Sequence, residues 1–141
     1  MQIAIANDHA GFTLKEKIIE VLELQNIKVI NLGCNNHDRV DYPDYVHLLT
    51  ESIIEGQATK GILICGTGIG MSIAANRSSA IHAALCTNEF MAERCRSHNN
   101  ANVLVLGSKL NDDDASLEIL QKFLTTEFEG GRHTKRIDKI R

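Results

Sequence analysis

The sequence contains no tryptophan, two tyrosines, four phenylalanines and one proline among 141 residues. So few large rings argue against a pocket built to stack on a flavin. Long apolar runs are also missing. The longest, such as Ile62–Cys65 and Val103–Leu106, are far too short to cross a bilayer. No charged segment precedes the apolar residues of Met1–Gly11. A signal peptide is therefore not expected, and the expected location is cytoplasmic. The four cysteines, at 34, 65, 86 and 95, show no C-x-x-C spacing, which removes a zinc ribbon and a thioredoxin-like motif. A reducing compartment argues against disulfides, and Cys86 and Cys95 read as small buried apolar residues.

Basic charge is not in excess either. The net charge is −3, which argues against the whole molecule binding nucleic acid. The charge is uneven, however. Residues 128–141 carry five Lys/Arg against two Asp/Glu, leaving −6 on residues 1–127. A basic arm on an acidic body points to an anionic ligand or an acidic surface, although a solvated tail has the same composition. With 43% hydrophobic and 23% charged residues the chain is neither disordered nor fibrous. At 15.6 kDa it fits a single domain, residues 1–141, with 128–141 as a C-terminal arm.

Short runs rich in Val, Ile, Leu and Ala fall at Gln2–Ala6, Lys28–Leu32, Gly61–Cys65, Ile81–Leu85 and Asn102–Leu106. They show little alternation, as strands buried on both faces do. Helical patterns lie between them. Thr13 and Glu16 have capping-box spacing, Pro43 suits a helix start, and Asp112–Asp114 suit the N-terminus of the last long helix. Gly33–Tyr42 and the tail from Glu129 read as irregular. The βαβ series predicts an α/β fold, a doubly wound (Rossmann-like) five-stranded parallel sheet.

Ligands bind such sheets at the carboxyl ends of the strands. Asn7–Gly11 follows the first strand, Cys65–Ser72 the third and Gly107–Lys109 the fifth. Gly66, Gly68 and Gly70, with Thr67 and Ile69 between them, let backbone N–H groups converge on an anion at a helix N-terminus. A tight βα turn without ligand fits the same glycines equally well. Neither the dinucleotide fingerprint nor a Walker A loop is completed: Met71 or Ile73 stands where a glycine is required, and no Gly-Lys-Ser/Thr follows. Cys65 sits where the positive end of a helix favours thiolate, making it a candidate base or nucleophile, although a buried inert thiol is the commoner outcome for a lone cysteine. A phosphatase would need Arg where Met71 stands. Asp8, His9 and His98 are expected at the same end of the sheet, which points to catalysis. His37, His47 and His82 read as structural. No ligand spacing supports a metal. Arg132 and Arg136, four apart, could grip a phosphate if helical.

Together these stretches resemble type B ribose-5-phosphate isomerase, in the sugar-phosphate isomerase family that includes the galactose-6-phosphate isomerase subunits. The match rests on Asp8–Phe12, Asp41–Tyr45, Gly61–Gly70, Ser72–Asn76, His98-Asn99, Asn102–Leu104 and Glu129–His133, in order along almost the whole chain. The resemblance implies interconversion of ribose 5-phosphate and ribulose 5-phosphate through an enediolate, without cofactor or metal. It assigns the proton transfer to Cys65 and ring opening to His98. Gly66 to Gly70 would bind the enediolate oxygen, with Thr67 close by. Asp8, His9 and Asn99 would contact the sugar, and Arg132 and Arg136 the phosphate. Lys109 stands where the family usually has Arg; it keeps the charge and loses the bidentate fork. A homodimer or homotetramer with sites at the subunit interface is implied, with no nucleic acid or membrane as partner. The galactose-6-phosphate subunits lack the Glu129–His133 stretch, which favours the pentose. An allose 6-phosphate isomerase and a non-catalytic sugar-phosphate sensor stay open.

Overall fold

The computed structural model describes residues 1–140. Its elements are β1 (Gln2–Asn7), α1 (Phe12–Leu24), β2 (Lys28–Asn31), α2 (Tyr42–Ile54), β3 (Lys60–Cys65), α3 (Ile69–Ala75), β4 (Ala83–Leu85), α4 (Glu89–Ser97), β5 (Val103–Gly107), α5 (Asp113–Thr125) and α6 (Arg132–Ile137). All strand pairs are parallel, in the order β2-β1-β3-β5-β4. The doubly wound reading holds.

Each strand sends alternate side chains to opposite faces, and both faces are buried. Ile3, Ile5, Ile62, Ile64, Leu104 and Leu106 pack under α1, α4 and α5 against Leu14, Ile18, Ile119 and Phe123. Ala4, Ala6, Leu63, Cys65, Val103 and Val105 pack under α2 and α3 against Val46, Leu49 and Met71. This two-sided burial is why the strands read as continuous apolar runs. Cys86 and Cys95 are buried apolar residues as expected, their sulfurs 3.8 Å apart.

Three local expectations are corrected. Thr13 and Glu16 form no capping box. Asp8 caps a 3-10 turn, His9–Gly11, that runs straight into α1, so both residues already lie inside that helix. The fourth strand starts at Ala83 rather than Ile81, because Ile81 closes a turn onto Ser78 and His82 N–H donates to the Asn102 side chain. The tail is not irregular throughout: α6 forms there. By contrast, Pro43 in the first turn of α2 and Asp112 at the cap of α5 stand as expected.

The irregular segment Gly33–Val40 is organised by a buried cation. The Lys15 side chain is wholly inaccessible, and its Nζ donates to Asn31 Oδ1 (3.2 Å), Gly33 O (3.1 Å), Cys34 O (2.7 Å) and Asn35 Oδ1 (2.6 Å). Burial lowers its pKa below the usual lysine value. Lys15→Met keeps the length and removes the donors, leaving several acceptors unpaired. It is expected to cost about 2–4 kcal/mol, read as a lower urea midpoint with an unchanged slope.

Candidate active site

At the carboxyl end of the sheet, the loops after β1, β3 and β5 meet. Cys65 ends β3, 5% exposed, and its sulfur accepts the Gly68 N–H at 3.1 Å. Gly68 has φ +75°, a conformation that favours glycine, and a Cβ there would lie 2.6 Å from Leu85. The left-handed residue turns the chain from strand into α3 and points its amide back at the thiol. Thr67 is exposed at the loop tip, its Oγ1 accepting the Ile69 N–H. Asp8 is buried, and its Oδ1 accepts the Ala10 N–H at 2.9 Å. Its own N–H donates to Ile64 O, which ties the β1 loop to the residue before Cys65. His9 Nδ1 accepts the Val40 N–H at 3.3 Å. A cavity of about 280 Å³ opens beside it, lined by His9, Arg39, Val40 and Asp41. Lys109 N–H donates to Gly66 O, so Lys109 also belongs to this end.

His98 and Asn99 do not, which corrects the expectation that His98 shares an end with Asp8 and His9. Helix α4 begins after the carboxyl end of β4 and runs back across the sheet before β5 starts. His98 caps its far end, with Ala101 N–H donating to Cys95 O and Asn102 N–H to His82 O just beyond. Gly61 pairs with Val103 at the amino end, and Cys65 with Gly107 at the carboxyl end. The length of β5 therefore separates the two groups, about 17 Å at the usual strand rise.

The arm joins His98 at the amino end. Glu129 N–H donates to Ser97 O at 3.0 Å. Gly130 and Gly131, both at positive φ, turn the chain into α6. His133 is buried at 3% exposure and stacks on His98, ring centroids 4.1 Å apart and planes at 19°. Glu129 Oε2 lies 3.3 Å from His133 Nε2 and 4.0 Å from His98 Nε2. Arg94 approaches the same His98 nitrogen at 3.3 Å. The donor atoms of His98, Glu129 and His133 lie within 4.8 Å of one another, close enough to hold a metal ion. Arg132 and Arg136 are exposed on α6.

Sequence reasoning missed two features. Tyr42 lies against Gly70, where a Cβ would come within 2.5 Å of its ring; nothing in the sequence signals that contact. The pairing of Glu129 with His133 was visible only as an i,i+4 spacing.

A family model described as Ribose/Galactose Isomerase matches residues 3–140. The chain belongs to that family. Ribose-5-phosphate isomerase B of Escherichia coli is 39% identical over 139 residues, covering 99% of this chain and 93% of that protein. A ribose 5-phosphate isomerase structure from Thermotoga maritima is 51% identical with a TM-score of 0.96, covering 99% and 96%. Ribose-5-phosphate isomerase B from Mycoplasma genitalium, solved with bound ribulose-5-phosphate, is 45% identical with a TM-score of 0.95, covering 99% and 93%. Among the described residues of this family member, no helix is long and apolar enough to cross a membrane.

Burial pushes the His133 pKa below the usual 6.5; His98 and Arg132 push the same way, and Glu129 opposes them. The unfolded chain therefore takes up a proton before the folded one. Docking of the arm is fully in place above the ordinary histidine value and weakens as pH falls below it. Amide exchange in 132–137, corrected for intrinsic rates, is expected to rise relative to α5 between about pH 7 and about pH 5. His133→Phe should abolish that pH dependence.

Proposed function

We propose that the chain interconverts ribose 5-phosphate and ribulose 5-phosphate, with Cys65 as the proton-transfer base and each site completed by a second copy of the chain. The observation that carries this reading is the Cys65 thiol, set against the Gly68 amide at the head of α3 in a chain matched by the family model over residues 3–140. Cys65 takes the proton from C2 of the open aldehyde and returns it to C1, while a proton passes from the C2 hydroxyl to the C1 oxygen. Charge builds on the carbonyl oxygen during abstraction. Preorganised N–H groups of Gly66 to Gly70, with Thr67 beside them, lower that barrier by several kcal/mol. Asp8, His9 and Asn99 bind the sugar hydroxyls, and His98 opens the ring as acid and base. Arg132 and Arg136 hold the phosphate, with Lys109 as a further cation. The phosphate does not react; its binding positions the reacting carbons. The chemistry calls for no cofactor and no metal.

The split of these residues between opposite ends of one sheet supports a shared site. A two-fold pair of chains brings the amino end of one against the carboxyl end of the other. Uncovered apolar side chains around the Cys65 loop support the same arrangement: Ile69 and Ile73 on α3 are 55% and 64% exposed, and Phe90 at the start of α4 is 64% exposed. A cytoplasmic placement fits a phosphorylated substrate.

Ketose formation from ribose 5-phosphate, with allose 6-phosphate in parallel, tests the activity. Cys65→Ala is expected to abolish turnover and leave phosphate-sugar binding intact; retained turnover would remove Cys65 as the base. Arg132→Ala with Arg136→Ala should raise KM with little change in kcat. Cys65→Ala, inactive alone, and His98→Asn, left with about a hundredth of wild-type turnover, should regain about a quarter of wild-type activity when unfolded and refolded together. Half the dimers would then be mixed, each with one intact site. No recovery would place all the residues of a site in one chain.

A further inference from the structure

His98 has been given a role, yet the group that fixes its ring has none. Helix α6 is six residues long, and His133 is its buried residue. Every flanking residue from Arg132 to Arg136 is exposed. A helix this short does not persist alone, so its docking depends chiefly on that side chain, with Ile137 half-buried beside it. His133 meets His98 face to face. Its Nε2 is buried and lies 3.3 Å from Glu129 Oε2 without a well-formed hydrogen bond. A buried imidazole nitrogen held short of its partner calls for an explanation.

A metal ion is the first candidate, and the geometry disfavours it. Stacked rings at 19° keep their nitrogen lone pairs in nearly parallel planes, whereas ligands of one ion must point at a common centre. Arg94 also brings a positive charge to 3.3 Å from His98 Nε2.

Resting on the role given above to His98, we propose that His133 is a positioning residue. It sets the plane of the His98 ring by stacking, with the Glu129 carboxylate beside its buried Nε2. Because His133 sits between Arg132 and Arg136 on one helical turn, the grip on the phosphate and the aim of the ring-opening group are set by the same short helix.

The test is a double-mutant cycle with ribose 5-phosphate. His133→Ala is expected to lower kcat on the order of tenfold, as loss of catalytic alignment does, with KM changed less than about twofold. His133→Phe, which keeps a flat ring, should recover most of kcat. In a His98→Asn background, His133→Ala should have no further effect. An equal loss in both backgrounds, or a raised KM with unchanged kcat, would overturn the proposal. So would loss of activity on chelation that zinc restores. If His98→Asn alone leaves turnover intact, the role given to His98 fails and this inference falls with it. The stack is read independently of activity by NMR: the His98 ring protons should lose an upfield ring-current shift in His133→Ala and keep it in His133→Phe. A wild-type spectrum without that shift would also overturn the proposal.

Discussion

Parallel pairing governs this molecule more than any single contact. A chain that leaves a strand at its carboxyl end must cross the whole sheet before it can start a parallel neighbour. Each crossover therefore carries residues from one end of the sheet to the other. The loops after β1, β3 and β5 stay at the carboxyl end, with Cys65, the glycine loop, Asp8, His9 and Lys109. The far ends of α4 and α5 finish at the amino end, with His98, Asn99 and the arm. No rearrangement of side chains can join the two groups within one chain. The same rule that makes the sheet stable holds these two groups at its opposite ends.

The two halves are built differently. At the carboxyl end, positions are set by backbone: a strand terminus, a left-handed glycine, and amides bonded to neighbouring loops. Even the irregular segment after β2 is held there, by the ammonium of Lys15. At the amino end, the arm rests on one backbone hydrogen bond from Glu129 and one buried histidine. The half assigned to the proton transfer is the rigid one. The half assigned to the phosphate and the ring is the one that can open locally at low cost.

Much of this was legible in the sequence. The five apolar runs, the glycine loop and the caps at Pro43 and Asp112 all express local chemistry, and local chemistry reads well from a string. The position of His98 did not. It follows from the direction in which α4 runs, and adjacency along the chain concealed it. The tail helix was missed because its residues lack apolar periodicity; α6 is held by a ring stack, which leaves no pattern. The supposed capping box at Thr13 and Glu16 had the right spacing but the wrong start, since the 3-10 turn after Asp8 had already begun the helix. Nothing in the sequence signals the burial of Lys15, and only the fold reveals four oxygens around it.

One hydrogen bond bears on selectivity. His9 takes the Val40 amide on Nδ1, so in the neutral ring the remaining proton must sit on Nε2. The side chain thus offers the cavity beside it a donor and no lone pair. It welcomes hydroxyl, carbonyl and phosphate oxygens and has nothing to give a cation. A loop amide thirty-one residues away, by choosing which nitrogen it occupies, decides which polarity the His9 side chain itself presents.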